Sequence, residues 1–575
     1  MKNNFLLEIL LVFLLAVTLN GQEAPVPSVS SQKPLQELLV QALQSYRTGK
    51  FDAALEKYQA ALQQDPKSGE AYAGLARTYL KQENVQTALE TAKKGVGEAP
   101  DSLTAHTALG EVYFRQGKME ECEKEFLKAV NTIHPEARAY LGLARINSAF
   151  SLYAKAEKQL ERAHALDPND PDIQRWWMQT LSRSERIQSL QSYLAGATDD
   201  DEETREGMRH YLELLKERQE HPEKSCKLAT KLASTEAVLE PMLIDATHLH
   251  GYGLEVKVNG QSSRLLLDTG ASGLLINSKI AERAGVKQVV SDKILGIGDK
   301  GVVEGYLGYA DSIKIGNLEF QNCLVEVSEK RSVIGDDGII GADVFSHYLV
   351  TLDFPDKKLK LQELPKRADE KETAATLSTN AGYDDDEEEE SAAPAERSNQ
   401  KTDATAPATA DRKATPRPVP HDRYIAPEMQ DYSKVFRFGH DLLIPTKVGD
   451  ADYKLFLIDT GSFLNYISPD AAREVTKVRS EHDTRIRGLN GSVKEVYNAD
   501  KAVLQFSHYR QENQDILGFD FSGISKHTGT EVSGILGFVT LRFMVVRIDY
   551  RDGLVDFYYD KNRWHSATKA FSASY

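Results

Sequence analysis

Cysteine is nearly missing from this chain. Only Cys122, Cys226 and Cys323 occur among 575 residues, far apart in sequence. That is too sparse for a disulfide framework and lacks the close spacing of a metal site, so buried free thiols are expected. Positive charge is short as well: Lys and Arg total 70 against 86 Asp and Glu, a net charge of −16. No basic stripe with interleaved aromatics offsets this, which argues against nucleic acid as a partner. Long apolar runs are absent past the N-terminus. The single run there, Ile9–Leu19 behind Lys2, has the length of a secretory signal core rather than a membrane span. It predicts a signal peptide over residues 1–21 and an exported protein, periplasmic or extracellular. An uncleaved N-terminal anchor is the alternative. H-E-x-x-H and G-x-S-x-G are also lacking. His250, His347 and His440 are therefore assigned to packing or surface roles, and neither a metal nor a cofactor is expected.

What the first third does contain is a period. Pro66, Pro100, Pro135 and Pro168 are separated by 34, 35 and 33 residues, each closing a unit of two amphipathic stretches. Small and large positions recur in phase: Tyr72, Leu75, Ala76 and Ala88 in the second unit, Leu109, Gly110, Phe126 and Ala129 in the third. Small residues let paired helices approach and the large ones fill the gap. The pattern resembles tetratricopeptide repeats, predicted over 35–170, with a helical cap or spacer over 171–236. Cys122 sits at one of the small positions. The repeats imply a concave surface for a protein partner.

Strand signals begin near Val238. Leu254, Val256 and Val258 alternate, Asn259-Gly260 offers a hairpin turn, and Leu265–Leu267 returns into Asp268. The same grammar recurs around Asp459: Asn259 and Asp450 each precede their aspartate by nine residues. Each copy continues with a short helix start, a glycine-bearing hairpin and a Gly-containing apolar motif. Those motifs are Ile339-Ile340-Gly341 and Ile535-Leu536-Gly537, and each copy closes on a strand pair.

Residues 250–362 and 436–560 thus resemble the retropepsin and pepsin aspartic peptidases, one lobe per copy. The resemblance implies a multidomain α plus β chain: an α-helical repeat solenoid, then two β-rich lobes of the double β-barrel kind, over 238–363 and 426–562. It implies that Asp268 and Asp459 form a catalytic pair and that Thr269 and Thr460 hydrogen-bond across it. Gly270, Gly461 and Ser462 support the loops; Ile340, Gly341, Leu536 and Gly537 support the strands behind them. Two carboxylates about 3 Å apart cannot both ionise and so share a proton. One can then deprotonate a water while the other protonates a peptide carbonyl. The polypeptide would bind extended beneath a flap carrying Gly296, Gly298 and Gly301. Those glycines also fit GxGxxG, but strand-like sequence follows where a dinucleotide site needs a helix. The copies differ: Ala271 faces Ser462 in position, Asp343 faces Val539, and Phe463-Leu464 replace Ser272-Gly273. The alternative function is a non-catalytic adaptor that binds peptides, and lobe pairing between two chains is an alternative assembly. Between the lobes, 364–425 is rich in Ala, Thr, Pro and acid, including Asp384–Glu390, and reads as a disordered linker.

Overall fold

The computed structural model describes residues 29–196, 198–243, 249–294, 296–298, 303–330, 336–367 and 420–563. The signal, the acidic run Asp384–Glu390 and Gly301 lie outside them.

Eight helices from Val29–Arg47 to Tyr153–Leu166 form four antiparallel pairs. Ser68, Asn84 and Ser102 each cap a helix by accepting from a backbone N–H three residues on, which fixes where the chain turns. Phe126 fills the space between neighbouring repeats. Its ring lies where side chains on Gly110 and Gly142 would be, so those glycines set the helix spacing. Three more helices, Pro171–Met178, Arg183–Ala195 and Glu202–Glu220, complete the helical region. Ion pairs bridge successive helices. Arg138 binds Glu111 at 2.7 Å, Asp170 at 2.7 Å and Asp172 at 2.6 Å, Arg77 binds Glu111 at 2.6 Å, and Lys81 reaches Asp199 at 2.6 Å. Arg47, at the end of the first helix, pairs with Asp167, beyond the fourth repeat. The chain's own side chains thus tie the first repeat to the region after the fourth.

The change to strand comes earlier than the boundary at 236. Lys227–Leu228 and Ser234–Val238 are already strands. A further correction concerns the thiols: Cys226 and Cys323 are joined in a disulfide, 97 residues apart, and only Cys122 is free and buried. Separation hid the pair, because folding alone brings Lys227–Leu228 alongside Phe320 and Gln321.

In the first lobe, Leu249–Val258 and Gln261–Asp268 form a hairpin. Asn259 (φ 47°) and Gly260 (φ 82°) make its two-residue turn, matching the right-handed strand twist. The second lobe repeats this with Asp441–Val448 and Tyr453–Ile458. The closing strand pairs of the lobes join edge to edge in a six-stranded antiparallel sheet, with Val350 opposite Ile548 and Leu352 opposite Val546. One apolar core runs through both lobes, and Tyr252, Phe354 and Phe538 pack as an aromatic trio across the boundary.

The helical region packs on both lobes. Tyr211 and Leu214 of its last helix meet Val290 and Leu307 of the first lobe. The turns within the second, third and fourth repeats face the second lobe. Lys526 reaches Glu83, Gly117 abuts Leu455, and Ser151 lies beside Gly553. Phe114 and Phe438, with ring centroids 6.3 Å apart, share a cluster that holds Leu443, Leu455 and Leu457. Residues 420–425, assigned above to the linker, are held too: Asp422 accepts from Lys155 N–H at 3.1 Å, and Arg423 donates to the Asp552 carbonyl at 2.7 Å.

Candidate active site

Asp268 ends, and Asp459 directly follows, a strand that runs parallel to the strand of its glycine motif. Ile340 lies opposite Leu267 and Gly341 opposite Asp268; in the second lobe Leu536 lies opposite Ile458. Asp459 N–H donates to the Leu536 carbonyl at 3.1 Å, and Gly341 N–H to that of Gly273 at 2.8 Å. Gly537 leaves no room for a side chain against Leu464.

The two loops meet within one chain. Thr269 N–H donates to Thr460 Oγ1 at 3.1 Å and Thr460 N–H to Thr269 Oγ1 at 3.0 Å. The hydroxyls then donate across the boundary, Thr269 to the Ile458 carbonyl at 2.8 Å and Thr460 to that of Leu267 at 2.9 Å. These four reciprocal, buried bonds fix the loops against each other. Gly270 faces the Asp459 carboxyl and Gly461 the Asp268 carboxyl; a Cβ on Gly461 would lie 2.2 Å from Asp268 Oδ2. The Asp268 and Asp459 carboxyls are within hydrogen-bonding reach of one another.

Their surroundings separate them. Asp268 accepts from Gly270 N–H at 2.8 Å and Gly461 N–H at 3.3 Å, and Asp459 from Ser462 N–H at 2.9 Å. Burial raises Asp268 above the usual carboxylate range, and these N–H groups and Asp459 oppose the rise. Burial raises Asp459 much further, reinforced by the charge of Asp268 and their shared hydrogen bond. Burial and mutual charge therefore keep the two from ionising together, and the pair holds one proton between them.

The lobes brace these loops differently. In the first, Asp343 accepts from the Ser272 hydroxyl at 2.9 Å and Gly273 N–H at 3.0 Å. In the second, where Val539 takes the place of Asp343, Asn465 holds the loop. Its side chain accepts from Gly537 N–H at 2.9 Å and donates to Thr540 Oγ1 at 2.8 Å. Asn465 escapes a comparison of the two copies because the first lobe has Leu274 at its offset, which gives no polar match.

A hairpin from each lobe reaches the other. Gln288–Ile294 pairs with Val303–Ile315, and the loop between them carries Gly296 and Gly298. Gly296 packs on Leu489 and Gly298 on the Asn490 backbone of the second lobe. Asn490 N–H donates to the Ile297 carbonyl at 3.0 Å and its side chain to that of Ile294 at 2.9 Å. Leu489 completes an apolar cluster with Ala271, Leu275, Ile294 and Ile339.

Residues 254–344 match the family model described as aspartyl protease, and 46–101 and 101–169 match two models described as tetratricopeptide repeat. The chain thus carries an aspartyl protease-like segment over 254–344 behind tetratricopeptide-like repeats over 46–169. It is similar to DNA damage-inducible protein 1 of Chaetomium globosum, 31% identical over 116 residues covering 20% of this chain and 25% of that protein. The Neurospora crassa protein of the same name is 32% identical over 122 residues, 20% of this chain and 27% of that protein. The chain thus matches about a quarter of the length of these curated relatives. Among solved structures, a thermophilic TPR protein of Thermus thermophilus is 25% identical with a TM-score of 0.25, covering 32% of this chain and 98% of that one. Pseudomonas aeruginosa pilF is 18% identical with a TM-score of 0.23, covering 33% and 88%.

Proposed function

We propose that this protein is an aspartic endopeptidase whose two aspartates, Asp268 and Asp459, activate one water against a peptide bond. The observation that carries the reading is the reciprocal threonine bonding that sets both carboxyls close enough to share one proton. Asp268 takes a proton from the water, whose oxygen attacks the peptide carbonyl carbon. Asp459 gives its proton to the carbonyl oxygen. The tetrahedral diol then collapses: Asp459 takes a proton from one hydroxyl as the carbonyl re-forms, the C–N bond breaks with its electron pair on nitrogen, and Asp268 gives that nitrogen the proton taken from the water, which restores the dyad. The extended polypeptide lies beneath the hairpins that carry Gly296, Gly298 and Leu489, held largely through its main chain. The helical repeats select or present a protein, and the chain acts outside the cytoplasm.

Full-length protein, Asp268→Asn and Asp459→Asn should each be incubated with a denatured protein and the products read by mass spectrometry. The wild type is expected to release fragments that both variants fail to release, a loss of at least about a thousandfold. If all three give the same products, the reading is wrong. The pH profile should be a bell. Activity falls in acid as Asp268 gains a proton and the base is lost, and falls in alkali as Asp459 loses the proton it must donate. Burial raises both carboxyls, so the alkaline limb, where the pair loses its shared proton, lies above the usual carboxylate range.

A further inference from the structure

The six-stranded sheet that joins the lobes has one face in the core and one outside it. Val350, Leu352, Val546 and Ile548 belong to the common core. Strand alternation therefore turns Thr351, Asp353, Val545 and Arg547 the other way. That second face floors an open groove of about 800 Å³. The groove crosses five neighbouring strands, from Leu554–Tyr558 of the second lobe to Ser234–Val238, and so passes over the seam between the lobes. Thr230 and Asn317 wall its far end.

The charged side chains of the groove are satisfied by neighbours. Lys360 and Arg563 each bind Asp353 at 2.8 Å, Glu236 binds Lys358 at 2.8 Å, and Arg547 pairs with Asp556. Among them stand hydroxyls, Val545 and the Tyr558 ring, which is 45% exposed. Such a lining suits an uncharged polypeptide carrying rings and small side chains.

The chain itself supplies that segment. Arg563 lines the near end of the groove, and its guanidinium already crosses from the second lobe to Asp353 and, at 2.7 Å, to Asp356 of the first. Twelve residues follow it, WHSATKAFSASY, with Trp564, Phe571 and Tyr575, one Lys and no acid. The acidic linker, by contrast, would bring unpaired charge. Five strands span about 19 Å, and twelve extended residues reach about 40 Å, so the segment is long enough to cross.

We propose that residues 564–575 lie in this groove as a strap, leaving the second lobe at Arg563, crossing the seam over Thr351 and ending against Thr230 and Asn317. The second lobe thereby clamps the first with its own end. Because the strap starts in the groove wall, its seating is intramolecular and modest contacts suffice to hold it. The inference does not depend on the endopeptidase reading.

The test uses the full chain with p-benzoylphenylalanine in place of Phe571, irradiated, digested and mapped by mass spectrometry. Crosslinks are expected to residues 230–236, 351–362 or 545–558 of the same molecule. A second measurement is the rate of tryptic cleavage after Lys569, which reports how often the segment leaves the groove. Gln362→Trp, at an exposed position on the groove wall, fills the space and should speed that cleavage at least about fivefold, the scale of an overpacked site. Should Gln362→Trp disturb the fold by circular dichroism, the crosslink map decides. Crosslinks to the helical repeats, crosslinks only between two copies, or none at all overturn the strap. So does a Lys569 cleavage rate that a folded Gln362→Trp leaves unchanged.

Discussion

Gly461 has no side chain because the space one would need belongs to Asp268. Gly461→Ala is expected to part the two carboxyls and abolish proteolysis while leaving the fold intact, checked by pairing the mass-spectrometric assay with circular dichroism. Thr269→Val acts on the same contact but on stability. It strips Thr460 N–H and the Ile458 carbonyl of partners, at about 1–3 kcal/mol for each unpaired group, read as a lower urea midpoint. The residues of this contact were legible because acid–hydroxyl–glycine after an apolar strand is costly to bury once and makes sense twice. Asn465 was not legible, since its partners Gly537 and Thr540 come to it only through the parallel strand pairing. Nor was Leu489, an ordinary apolar residue in a turn until it meets Ile339 and Ala271 of the other lobe.

At the scale of elements, the repeats and the doubled lobe could be read because both are periodic, and period survives without knowledge of contacts. The strand Ser234–Val238 and the disulfide escaped because neither repeats. Cys226 follows the last helix and Cys323 lies in a strand of the first lobe, so the bond fastens the end of the helical region to the protease domain. Cys226→Ser, or reduction of the wild type, should lower stability by about 2–5 kcal/mol, the usual cost of losing a native disulfide. Denaturant melts with and without reductant check this, and a Cys122→Ser variant should respond to reductant like the wild type.

Taken whole, the molecule is not a pair of lobes with a detachable helical region. Phe114, Phe436, Leu443, Leu455 and Leu457 form one apolar cluster across the two regions. Removing residues 29–200 would leave the second lobe's share of it in water, and exposed patches of that kind drive association. The truncated protein is expected to elute as aggregate in size-exclusion chromatography, where the full chain does not. The threonines that clasp at the centre also have a consequence for abundance. Had each aspartate come from a separate copy, scarcity would dissolve the site, because encounter would set how much of it existed. Covalent continuity removes that dependence: a lone molecule holds everything it needs, however few of its kind surround it.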